Sequence, residues 1–232
     1  MIPKIIHYVW VGGQPKPKKI QTCMKTWAHH LQDYKIIEWN EDNFDLHGNA
    51  YVEQAYRAKK WAFVSDYIRA KVVYEYGGIY LDTDVLVLSD LKDLLQHRAF
   101  TGFENRDNPF TAVFGAEPKH PLLKDMVQFY DHRDFSFDRQ DQMAGVNTVS
   151  VSDILKQKYG AQPNDQEQDL KEGIHVYPDG VLCNPSSRSK TIHVFTGTWM
   201  EGQKPWKRRL VTQIKLKIKT PRQAGLYAKW VR

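Results

Sequence analysis

Asp82 and Asp84 lie two residues apart, just after a short β-prone run, Ile79-Tyr80-Leu81, and just before Val85-Leu86-Val87-Leu88. Acids that interrupt so apolar a segment need partners, because desolvating an unpaired carboxylate costs on the order of several kcal/mol. A divalent cation is the natural one, since Mg²⁺ and Mn²⁺ take hard oxygen ligands. If the strand continues through them, the two side chains share a face. The alternative for the tripeptide alone is a strand that ends at a polar turn.

Four further groups carry candidate chemistry. Ser65, Asp66 and Arg69 share one helix, on a face turned away from Val64, Ile68 and Val72. They form either a solvated surface pair or a hydroxyl, a carboxylate and a guanidinium gathered around a polar ligand. His7-Tyr-Val-Trp-Val-Gly-Gly13 places Trp10 at a strand end beside a glycine turn, where an indole stacks on a flat base or joins the core. His193 sits in an apolar late strand, as a core histidine or a ligand. Trp199 follows Gly197-Thr198, in a position to close a loop over a site.

The elements that must position these groups alternate along the first third of the chain. Residues 5–11 predict a strand, 18–31 a helix with Ile20, Met24, Trp27 and Leu31 in one stripe, and 34–39 a second strand. Residues 52–60 and 62–76 predict helices, the second closed by Gly77. That order predicts an α/β fold with a mostly parallel sheet flanked by helices. In such sheets, ligands bind beyond the carboxyl ends of the strands, where Asp82 and Asp84 fall. Further on, 99–104, 112–116, 174–177 and 191–195 read as strands. Residues 120–130 and 150–159 read as helices, and 162–169 as a loop.

The composition is that of a globular protein. Hydrophobic residues make up 41% of the 232-residue chain, enough for a core, and aromatic residues 12%. Two distant cysteines, Cys23 and Cys183, offer neither metal spacing nor a disulfide framework, which fits a reducing compartment. No apolar run reaches the length of a membrane span and no signal peptide is visible, so the expected location is the cytoplasm. The net charge of +6 is uneven. Residues 202–232 hold ten Lys and Arg and no acid, leaving −4 for the first 201. The expected division is therefore a domain over 1–201 and a basic tail over 202–232. Trp206, Leu210, Ile214 and Ile218 recur at helical spacing within that tail, a basic amphipathic pattern suited to an anionic membrane surface. A solvated, flexible terminus is the other reading.

In order along the chain, Ile2-Pro-Lys-Ile-Ile-His-Tyr-Val-Trp-Val-Gly-Gly13, Glu38-Trp-Asn40, Ala62-Phe-Val-Ser-Asp-Tyr-Ile-Arg69, Tyr76-Gly-Gly-Ile-Tyr-Leu-Asp-Thr-Asp84, Ile192-His193 and Thr198-Trp199 resemble the motifs of glycosyltransferase family 32. That family includes bacterial capsule and exopolysaccharide transferases and yeast-type mannosyltransferases. The resemblance implies a GT-A type nucleotide-sugar-binding fold. It implies a metal-dependent retaining hexosyltransferase that uses a nucleotide sugar, with a UDP-sugar as the expected donor. The acceptor would be a saccharide or a lipid-linked oligosaccharide, in polysaccharide biosynthesis. By the same match, Trp10 stacks on the base, Asp66 and Arg69 contact ribose and sugar, and Asp82 touches ribose and sugar. Asp84 and His193, with Asp82, hold Mn²⁺ or Mg²⁺. Val9, Ser65, Gly78, Tyr80, Thr83 and Trp199 complete the expected nucleotide-sugar site. The family's late motif usually reads Ser-Trp where this chain has Thr198-Trp199. Two readings from other classes stay open: a haloacid-dehalogenase-type phosphatase with Asp82 as nucleophile, and a non-enzymatic nucleic-acid binder using the basic tail.

Overall fold

The computed structural model describes residues 1–131, 133–135, 147–197 and 205–231. Its centre is a seven-stranded sheet built from β1 (Ile5–Val9), β2 (Lys35–Trp39), β3 (Gly78–Leu81), β5 (Ala99–Gly102), β6 (Val113–Ala116), β7 (Gln168–Asp169) and β8 (Ile174–Tyr177), in the order β2-β1-β3-β6-β5-β8-β7. β2, β1, β3, β5 and β8 run in one direction. β6, inserted between β3 and β5, and β7 at the edge run against them. The alternating first third thus builds the parallel half, and the helix-poor middle of the chain supplies the reversed strand.

Helices cover both faces. α2 (Ala50–Arg57), α3 (Trp61–Tyr76) and α4 (Pro121–Asp131) pack Val52, Ile68, Val72, Leu123 and Met126 on one side. α1 (Lys18–His30) packs Trp27, with Leu31 beyond its end, on the other. The Asn49 side chain caps α2 by accepting from the Val52 N–H at 3.1 Å. Gly77 ends α3 at φ +63°, in a position where a Cβ would meet Pro118 and Pro3 within 3 Å.

A two-stranded antiparallel sheet, β4 (Val85–Val87) with β9 (Thr191–His193), lies below the carboxyl end of β3. Two bonds from α1 pin β4: Trp27 Nε1 donates to the Val85 carbonyl at 2.8 Å, and the Thr26 hydroxyl accepts from the Val87 N–H at 2.8 Å. α5 (Asn147–Ile154) and the short α6 (Asp179–Leu182) follow the middle strands.

Three expectations change. Residues 162–169, expected as a loop, end in the edge strand β7, which pairs with β8. The strand β3 does not continue through Asp82 and Asp84. β3 ends at Leu81, and a turn closed by the Val85 N–H on the Asp82 carbonyl at 3.0 Å separates it from β4. A turn rather than a pleat therefore brings the two acids together, as their local hydrogen bonding favours. In the basic C-terminal stretch the helical stripe stops early. α7 (Trp206–Lys215) ends before Ile218, and α8 (Pro221–Val231) follows. Ile218 and Ala224 are buried against Cys23, Leu86 and Ile192, which anchors this stretch on the β4–β9 sheet.

Candidate active site

A cavity of about 880 Å³ opens at the carboxyl ends of β1, β3 and β5. Val9 and Trp10 enter it from the end of β1, Asp82, Thr83 and Asp84 from the turn after β3, and Glu104 from just beyond β5. α3 contributes Ser65, Asp66 and Arg69, and Tyr80 forms part of the floor. His193 comes from β9 on the far side of the sequence. Of the expected residues, Gly78 is absent from this wall. It sits at the opposite end of β3 with φ +109°, where a Cβ would lie 2.7 Å from the Ile5 carbonyl oxygen, so close strand packing accounts for it. Thr198 and Trp199 lie outside the described residues.

Asp66 and Arg69 do not form a solvated surface. They are 6% and 8% exposed, and Arg69 is the cation between two carboxylates: Nη2 lies 3.1 Å from Asp66 Oδ1 and 3.2 Å from Asp82 Oδ1. The same nitrogen donates to the Ser65 hydroxyl at 2.9 Å, and the guanidinium lies over the Tyr80 ring, 4.7 Å from its centre. Burial works against the charge on Arg69, but Asp82, Tyr80 and Asp66 outweigh it and keep the group protonated. Burial pushes the Asp66 carboxyl up to about 7; Arg69 opposes that rise and Asp82 adds to it.

Asp84 is held differently. Its Oδ2 accepts from the Thr196 N–H at 2.7 Å and from the Thr196 hydroxyl at 3.0 Å, and its Oδ1 lies 3.2 Å from His193 Nε2. Burial alone would raise its pKa, but the His193 charge and the Thr196 bonds hold it well below the usual carboxylate range. His193, which burial would push down, is held well above its ordinary value by Asp84. Ligand atoms of Asp82, Asp84 and His193 all lie within 4.8 Å of one another, and the buried His193 Nδ1 has no hydrogen-bond partner. Two carboxylates and an imidazole whose Nε2 faces them are a donor set for a Mn²⁺- or Mg²⁺-sized ion, which would displace the imidazole proton.

Trp10 stands at the rim. Its Nε1 donates to the Gln14 carbonyl at 2.6 Å, and Lys16 Nζ lies 5.5 Å from its ring centre. Trp61, Phe63 and Phe110 also line the cavity, and Phe195 lies against His193 with ring centres 3.8 Å apart.

Sequence reasoning missed several lining residues. Lys207, Arg208 and Lys215 of α7 face the cavity, and buried Lys215 Nζ donates to the His193 carbonyl at 3.0 Å. Glu104, Thr111, Asn147 and Thr148 line it from the middle of the chain. The one signal for the α7 cations was the charge asymmetry of residues 202–232; no motif marked the others.

Residues 17–101 match the family model of the glycosyltransferase sugar-binding region containing a DXD motif. Over 134 residues the chain is 31% identical to an uncharacterized glycosyltransferase of Acanthamoeba polyphaga mimivirus, covering 53% of each chain. Over 135 residues it is 27% identical to inositol phosphoceramide mannosyltransferase 3 of Schizosaccharomyces pombe, covering 55% of this chain and 36% of that one. The chain thus spans about half the length of the curated relatives it matches, or less. The solved PaToxG glycosyltransferase superposes with a TM-score of 0.51 at 17% identity, over 68% of this chain and 69% of that chain, and so shares the fold.

Proposed function

We propose, for a chain whose residues 17–101 carry the DXD-containing sugar-binding region of glycosyltransferases, that it is a metal-dependent enzyme moving a hexose from a nucleotide sugar to a hydroxyl acceptor. The observation that carries this reading is the polarity of one cavity. Its wall combines the Trp10 indole, suited to a base, with a carboxylate–imidazole cluster suited to a metal-bound diphosphate, and the Arg69 guanidinium lies 3.2 Å from Asp82 of that cluster.

The chemistry follows from charge. Breaking the sugar–phosphate bond leaves a nucleoside diphosphate, and the growing negative charge needs fixed positive partners. Asp82, Asp84 and His193 would hold the ion, which would supply Lewis-acid stabilisation of the leaving diphosphate. Trp10 offers an indole face to the base. Arg69, held rigidly by Asp66 and Ser65, donates to ribose or sugar oxygens. Lys207 and Arg208 add positive charge on the α7 side. Asp82 is engaged by Arg69, which suits polar-ligand binding better than nucleophilic attack on a phosphoester.

The donor, the acceptor and the stereochemistry are part of this proposal. Retention and a UDP-sugar follow from the family resemblance, and mannose as the alternative hexose follows from a relative that is a mannosyltransferase. The acceptor is a saccharide or lipid-linked oligosaccharide, as in capsule or exopolysaccharide assembly. Residues 202–232 would act as an adjunct of the 1–201 domain, lining the cleft with α7 and docking to the inner face of a cell membrane. Trp206 and Trp230 are 69% and 77% exposed among basic residues, which supports such docking. No helix among the described residues is long and apolar enough to cross a membrane.

The test is a screen of UDP- and GDP-hexoses for release of the nucleoside diphosphate, with Mn²⁺, Mg²⁺ or EDTA. Turnover of at least one donor, lost with EDTA and restored by the ion, is expected. Absence of turnover across all donors, together with no calorimetric binding of UDP or GDP in the presence of Mn²⁺, rules the reading out.

A further inference from the structure

Besides His193 Nδ1, three polar side-chain atoms of the cavity wall are orphaned. Neither side-chain atom of Asn147, Oδ1 or Nδ2, makes a well-formed hydrogen bond, although the amide lies near enough to Asp66 to favour its charged form, and the Thr111 hydroxyl is buried without a hydrogen bond. Asn147 is 6% exposed and Thr111 1%, and both line the cavity. Buried polar groups in folded proteins are paired almost without exception, and each orphan left bare costs about 1–3 kcal/mol. Orphans that face a cavity imply a ligand that pairs with them.

Glu104 completes the set. It is the one lining carboxylate, among the described residues, with no ion pair: Asp66 and Asp82 share Arg69, and Asp84 has His193. Among the described residues its side chain accepts one hydrogen bond, from the Thr148 hydroxyl at 3.3 Å, on the residue next to Asn147. Glu104 follows β5, Thr111 precedes the antiparallel β6, and Asn147 belongs to α5; all three line the cavity, and the Thr148–Glu104 bond ties α5 to the end of β5. Carboxylate, amide and hydroxyl, with no lysine or arginine among them, make a poor phosphate site and a good one for neutral polyols.

We propose that Glu104, Asn147 and Thr111 form the subsite that reads the hydroxyl groups of the transferred hexose. This rests on the transferase reading above. Asn147 offers a donor and an acceptor to one vicinal pair, and the Glu104 carboxylate accepts from a further hydroxyl. A site built to hydrogen-bond a hydroxyl discriminates strongly against an epimer that leaves its buried groups bare. The subsite therefore sets the choice among hexoses, while Trp10 and the charged cluster hold the nucleotide.

The experiment measures metal-dependent hydrolysis of UDP-glucose, UDP-galactose and GDP-mannose by the whole chain and by Asn147→Ala and Glu104→Gln, with calorimetric binding of UDP and GDP alongside. For the preferred donor, each variant is expected to lose about 10- to 100-fold in kcat/KM and to flatten the ranking of hexoses. Affinity for the free nucleoside diphosphate should stay within about twofold, which also certifies folding. Parental turnover and ranking retained in both variants overturn the subsite alone. Loss of nucleoside diphosphate binding in both variants overturns it too, since the residues would then hold the fold or the nucleotide. A parent chain that binds no nucleotide and turns over no donor overturns the transferase reading, and the subsite with it.

Discussion

Asp84 and Thr196 meet across 112 residues of sequence: the Thr196 N–H and hydroxyl both donate to Asp84 Oδ2, at 2.7 and 3.0 Å. The contact ties the turn after β3 to the segment after β9. It also turns Oδ1, the other oxygen, toward His193. The second acid of the pair is thus oriented by the C-terminal part of the chain, and the first, Asp82, by Arg69 of α3.

Asp84→Asn keeps the shape and removes the charge. Metal-dependent donor hydrolysis should fall by about 100-fold or more, with Mn²⁺ affinity measured by calorimetry falling in parallel. Turnover near the parental level with unchanged metal affinity would remove Asp84 from the metal site.

His7 provides a pH prediction. It is fully buried; its Nδ1 accepts from Trp39 Nε1 at 3.0 Å, and its Nε2–H donates to the Gly77 carbonyl at 2.8 Å. Burial lowers its pKa to about 4 from an ordinary 6.5, so the folded chain holds it neutral where the unfolded chain protonates it. Between those values the unfolded state binds more protons, so stability is complete above pH 6.5 and drains as pH falls toward 4. The full effect is on the order of 3 kcal/mol. Urea unfolding at pH 7 and pH 4.5 should show a steeper acid loss in the parent than in His7→Gln; parallel losses would mean that other groups carry the effect.

Gly78 lies outside the cavity, and its left-handed backbone and contact with Ile5 predict a purely structural role. Gly78→Ala should cost about 2 kcal/mol or more, seen as a thermal midpoint lower by ~5 °C. Below that midpoint the KM for the donor should match the parent; a raised KM with an unchanged midpoint would return Gly78 to the binding site.

Trp206 and Trp230 test the membrane face. Deleting residues 203–232 would strip Ile218 and Ala224 from the β4–β9 sheet, so point changes are cleaner. The double variant Trp206→Ser, Trp230→Ser should co-sediment less with phosphatidylserine vesicles, with its thermal midpoint unchanged. Equal binding by parent and variant, or none by either, ends the docking idea.

Short-range patterning announced most of the scaffold. The alternation through residue 76, the glycine stop and the Asp-x-Asp pair each report on neighbours a few residues apart, where hydrogen bonding and hydrophobic period act directly on the local chain. The face of α3 bearing Ser65, Asp66 and Arg69 was legible for the same reason, but its burial was not. Whether a polar helical face meets water or a cavity depends on what packs over it, and α7, more than a hundred residues later, forms part of the opposite wall. Thr196, Glu104, Asn147 and Lys215 belong to no motif, and the helical spacing around Lys215 pointed to a membrane face rather than to this cavity. Their roles arise only when the reversed strand β6 and the C-terminal helices bring strand ends and helix starts to one cavity. The residue types named the chemistry; long-range packing, which desolvates those side chains and sets their distances, decided which of them act together.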